Sequence, residues 1–93
     1  MKTFGDLNIG DEVHILYVNE GLDYYKCFVT TTKEDLSRVR LSVEKTIGDY
    51  FGTELYVYGN DTLVKPNYRI PYYASPNKNE ITRILTDLLN KIN

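Results

Sequence analysis

The sequence predicts an α+β domain that is mainly β: a small antiparallel barrel or strongly bent five-stranded sheet with one C-terminal α-helix packed against it. Three observations carry this. Val, Ile, Tyr, Phe and Thr, the strand formers, make up 35 of 93 residues, while alanine occurs once, at Ala74. Period-two alternation recurs in short segments up to residue 64. One stripe of 3.6-residue period begins at Ile81.

The elements follow in order. Phe4, Leu7 and Ile9 are apolar points in a turn-rich opening, where Asn8 and Gly10-Asp11 supply turn chemistry. Residues 13–18 read as the first strand. Val13, Ile15 and Tyr17 share one face and His14, Leu16 and Val18 the other, so both faces are apolar and cover is expected on both. Residues 19–23 read as a loop. Residues 24–32 read as the second strand, with Tyr25, Cys27, Val29 and Thr31 alternating with Tyr24, Lys26, Phe28 and Thr30. After a polar turn at 33–37, Val39, Leu41 and Val43 point inward from the third strand and Arg38, Arg40 and Ser42 outward. Residues 24–43 are thus an expected antiparallel hairpin.

Gly48 and Gly52 mark a loop over 47–52. Residues 53–58 read as the fourth strand, with Leu55 and Val57 opposite Glu54, Tyr56 and Tyr58. Gly59-Asn60-Asp61 signals a turn, and 62–64 reads as a short fifth strand. Pro66, Pro71 and Pro76 mark 65–75 as a connector of edge strand or extended coil. Two cap signals compete for the helix start: Ser75 before Pro76, and Asn77 with Glu80 three residues on. The start is placed at 76. Ile81, Ile84, Leu85, Leu88 and Ile92 form the stripe, with Leu89 beside them. A helix of about 15 residues is roughly 22 Å long and marginal alone, so its stripe needs cover from its own sheet or from a second copy. The chain divides as 1–64, 65–75 and 76–92 within one domain.

The opening Phe4-Gly5-Asp6-Leu7-Asn8-Ile9-Gly10-Asp11-Glu12-Val13-His14-Ile15 resembles the start of SH3-like barrels of the KOW type. In these a Gly-Asp phrase leads into the first barrel strand. The resemblance extends over residues 4–43 and implies a small barrel. It transfers no activity, because small barrels host many functions.

Composition narrows the chemistry. Net charge is −2, with one Cys and one His. No internal disulfide and no zinc site of soft ligands is expected. The longest apolar run, Ile15-Leu16-Tyr17-Val18, is far short of a membrane span. A cytoplasmic protein is the expectation, and Cys27 suits a reducing compartment. No cofactor or metal site is legible: calcium-loop spacing and Gly-rich phosphate loops are absent. His14 reads as a surface or half-buried strand residue and Cys27 as a small core residue, not as a catalytic dyad. The expected protein is not an enzyme.

Charge is uneven along the chain. Residues 1–23 carry one Lys against five acids, and residues 24–45 carry five bases against three acids. Lys26, Arg38 and Arg40 with Tyr24 and Phe28 on one hairpin face are the candidate nucleic-acid contacts. Nine tyrosines exceed what so small a core needs. Tyr24, Tyr56, Tyr58, Tyr68, Tyr72 and Tyr73 are the candidate protein-binding set, because tyrosine covers apolar area and keeps a polar tip. The expected function is a non-catalytic protein-binding module, with small-barrel nucleic-acid binding as the alternative. The excess of Asn, Ile, Lys and Tyr points to an AT-rich gene. It suggests a small phage or mobile-element inhibitor or accessory protein that occupies a bacterial partner's surface.

Overall fold

Alternating apolar residues on four successive segments give the sheet one continuous inner face. The computed structural model describes residues 3–19, 21–31, 38–48, 52–59, 63 and 72–92. Its strands are β1 (Glu12–Asn19), β2 (Gly21–Thr31), β3 (Arg38–Ile47), β4 (Glu54–Tyr58) and β5 (Tyr72–Ser75), followed by the helix α1 (Lys78–Ile92). All neighbours are antiparallel, in the order β4-β3-β2-β1-β5. The sheet curls through 204° into a half-barrel.

The inner face is the core. Val13, Ile15, Cys27, Val29, Val39, Leu41, Val57 and Ala74 are buried there with Tyr25 and Tyr72. Cross-strand register sets this: Val13 faces Cys27, Leu41 faces Leu55, and Ile15 faces Ala74. A 3-10 turn at Phe4–Asp6 closes one end and places Phe4 fully inside, its ring 6.2 Å from that of Tyr72. Gly5 N–H donates to the Gly59 carbonyl at 2.7 Å, an approach that leaves a Cβ only 3.0 Å from that oxygen. Gly10, at φ +92°, turns the chain so that its N–H reaches the Val29 carbonyl.

Several expectations change. Gly21, Leu22 and Asp23, read as loop, are strand and pair with Asn19, Val18 and Tyr17. Of 62–64, read as the fifth strand, only Leu63 is described, as a buried bend, and the fifth strand of the described sheet lies elsewhere. It is Tyr72–Ser75, the end of the proline connector, paired with β1 as an edge strand. The polar turn expected at 33–37 and Tyr68 lie outside the described residues.

The helix begins at Lys78, so the Asn77 signal prevails. Asn77 Oδ1 accepts from Asn79 N–H at 2.9 Å, while Ser75 Oγ accepts from Asn77 N–H at 3.0 Å. α1 packs on the outer face, against β1 and β5. Ile81 is its buried residue there, Leu85 and Leu88 are half-buried, and Leu89 is exposed. β1 is therefore covered on both faces, as its two apolar sides require. No described helix is long and apolar enough to cross a membrane.

Candidate protein-binding face

Arg38 and Arg40 point outward from β3 because Val39 and Leu41 point in. On β4 the same parity turns Glu54, Tyr56 and Tyr58 outward. The antiparallel register sets Arg38 opposite Tyr58, Arg40 opposite Tyr56, and Ser42 opposite Glu54. Two arginines and two tyrosines thus form adjacent rungs on the edge hairpin. Tyr56 is 57% exposed and Tyr58 42%. Arg40 Nε donates to Thr30 Oγ1 at 3.2 Å, and that hydroxyl donates to the Arg40 carbonyl at 3.1 Å. Tyr56 Oη donates to Glu54 Oε2 at 3.1 Å. These bonds restrict rotamers before any partner arrives, which lowers the entropy lost on binding.

The other expected residues go elsewhere. Tyr72, expected in the exposed set, is buried in the core, and Tyr73 is half-buried opposite Leu16. Tyr24 is half-buried, its hydroxyl 2.6 Å from His14 Nδ1 and its ring stacked on the imidazole. Burial raises the Tyr24 pKa. Lys26 does not join the arginines as a free cation. Its Nζ lies 3.2 Å from Glu44 Oε2 and 3.6 Å from Glu12 Oε1, and 5.8 Å from the centre of the Phe28 ring. Glu12, from the acidic first quarter of the chain, and Glu44, from the hairpin itself, thus neutralise Lys26. The bond to Glu44 raises the Lys26 pKa.

His14 is 1% exposed, not the surface or half-buried residue the sequence suggests. Its Nε2 lies 2.6 Å from Glu12 Oε2. A carboxylate only accepts, so Nε2 carries a proton, and in the neutral ring Nδ1 accepts from Tyr24 Oη. The Nε2–H bond holds the Glu12 carboxyl below its ordinary pKa. Cys27 is fully buried, and burial pushes its thiol up to about 12. Register puts Cys27 on the inner face and His14 on the outer face, so the two do not form a dyad. Among the described residues, no group of three or more His, Cys, Asp or Glu is placed to hold a metal.

Tyr17 and Tyr25 are missing from the sequence-based set. With Tyr72 and Leu55 they line a cleft of about 280 Å³ at the mouth of the half-barrel, between β4 and the β1–β5 side. No family model, curated protein or solved structure matches this chain.

Proposed function

We propose that the half-barrel is a non-catalytic protein-binding module whose contact face is centred on Tyr56, Tyr58, Arg38 and Arg40. The observation that carries this reading is the pairing of two exposed tyrosines with two exposed arginines on adjacent rungs of an edge hairpin. Tyrosine and arginine dominate interface hot spots, because both cover apolar area while keeping polar donors. An edge strand adds a row of backbone groups that a partner's strand can extend. The meander whose fifth strand returns beside the first, together with the phrase at 4–15, supports kinship with SH3-like barrels. The compositional bias extends the proposal to a small phage or mobile-element inhibitor or accessory protein that covers a bacterial partner's surface.

Single-stranded nucleic acid is the second reading, favoured by the same arginines lying beside stackable rings. It is the weaker one, since Lys26 is already held by Glu12 and Glu44 and Glu54 adds negative charge to the face. The test compares the native chain with Tyr56→Ser/Tyr58→Ser and Arg38→Gln/Arg40→Gln variants. Partner capture lost in both, with unchanged melting temperature, supports the protein reading. Capture that survives both overturns it. Oligonucleotide binding that falls steeply with salt and disappears with the arginines replaces it by the second reading.

A further inference from the structure

Strict alternation from Val39, Leu41 and Val43 would turn Lys45 and Ile47 inward. The structure turns them outward. Cys27 faces Val43 but Lys26 faces Lys45, so Glu44 is the extra residue of a β-bulge. Beyond the bulge, Lys45 and Ile47 share the outer face with Lys26 and Tyr24. α1, seated over β1 and β5, forms the opposite wall. Between the two walls is a cleft of about 370 Å³, a size suited to a small molecule.

The cleft is two-natured. Leu16, Leu22, Ile47, Ile81 and Leu85 give it an apolar lining from three strands and the helix. Lys26, Lys45 and Lys78 line it as cations, one each from β2, β3 and the first turn of α1. Lys26 is shared with two carboxylates, whereas among the described residues no ion pair holds Lys45 or Lys78. The one carboxylate in the lining, Asp23, is packed against Gly48, where a Cβ would collide with it.

We propose that this cleft binds a small amphipathic anion, with the anionic head taken by Lys45 and Lys78 and the alkyl or aryl body laid on the apolar lining. Charge complementarity selects the head, and removal of apolar surface from water supplies the attraction for the body. The cleft is independent of the Arg38–Tyr58 rungs, which lie at the opposite end of β3.

The test is a nuclear magnetic resonance titration of the ¹⁵N-labelled full chain with octanoate, octanol and octyltrimethylammonium. Octanoate is expected to give saturable shifts confined to the amides of 22–26, 45–47 and the first two turns of α1. Octanol and the ammonium compound are expected to bind at least about tenfold more weakly. Lys45→Gln/Lys78→Gln should bring octanoate down to the octanol level while leaving the rest of the spectrum in place. If the variant does not fold, the headgroup comparison on the native chain decides alone. Absent or scattered shifts, equal affinity for the three headgroups, or an unchanged affinity in a folded variant would overturn the proposal.

Discussion

The hydroxyl of Tyr24 lies 2.6 Å from Nδ1 of His14, and the two rings stack with centroids 5.9 Å apart. The contact joins neighbouring strands across a face that is otherwise apolar at Leu16. It satisfies an imidazole that is almost completely removed from solvent. Tyr24→Phe keeps the ring and removes the hydroxyl, leaving Nδ1 buried without its partner. The expected loss is about 1–3 kcal/mol in urea unfolding. A loss near zero would show that the hydroxyl is dispensable to the buried ring.

Glu12 makes stability depend on acid. The His14 N–H bond lowers its carboxyl pKa, desolvation opposes this, and Lys26 adds to the lowering. A carboxyl depressed in the folded chain contributes stability above its unfolded pKa. That contribution disappears as the pH falls through the folded value. Glu12→Gln keeps an acceptor and removes the charge. Its deficit in urea midpoint relative to the native chain should be present at about pH 7 and shrink as the pH falls below the ordinary carboxyl pKa of about 4.3. A deficit constant across that range would assign the effect to packing.

Cys27 should be chemically silent in the folded protein. Burial holds its thiol at a pKa of about 12, so almost no thiolate exists near neutrality, and the sulfur is fully enclosed. A disulfide reagent at about pH 8 should react only as fast as the chain opens, and at once in denaturant. For a thiol raised in this way the associated stability is present below the unfolded pKa. It is lost as the pH rises through the folded value. Fast labelling without denaturant would show that the core opens locally around β2.

Among the described side chains of α1, burial is deepest at Ile81. Ile81 is 3% exposed and Leu89 45%. Ile81→Ala should cost about 2–5 kcal/mol, whereas Leu89→Ala should fall within about 0.5 kcal/mol of the native chain. Asn77→Ala removes the acceptor for Asn79 N–H and should cost about 0.5–2 kcal/mol. Amide exchange across the helix reads all three, with protection highest around Ile81. Equal protection at both ends would mean that something covers Leu88 and Leu89 in solution.

The parts of the fold legible in the sequence are those ruled by local alternation. Val39-Arg40-Leu41 and Leu55-Tyr56-Val57 show their inner and outer faces directly, and so the Arg–Tyr rungs follow once the two strands pair. Features created by pairing are not legible in this way. The bulge at Glu44 reverses the parity of Lys45 and Ile47, and nothing in the order of residues marks it. Tyr72-Tyr73-Ala74-Ser75 lies among prolines that suggest a connector. It becomes a strand because β1 offers a free edge and Ala74 fits against Ile15 on the inner face. His14 reads as a surface or half-buried residue until pairing lays the Tyr24 ring of β2 against it, beside Glu12 two residues back on its own strand.

β1 has a strand on each flank, but the two arrive at different times. β2 follows within two residues, whereas β5 begins at Tyr72, after β2, β3 and β4 have already been added to the opposite side. During synthesis the backbone of β1 therefore waits with one side open while more than fifty residues emerge. Over that interval a nascent chain can recruit any extended segment to the vacancy, a neighbouring copy's included. The last quarter of the molecule, β5 with its attached helix, closes that edge, so a truncation before residue 72 should produce a chain that assembles with itself.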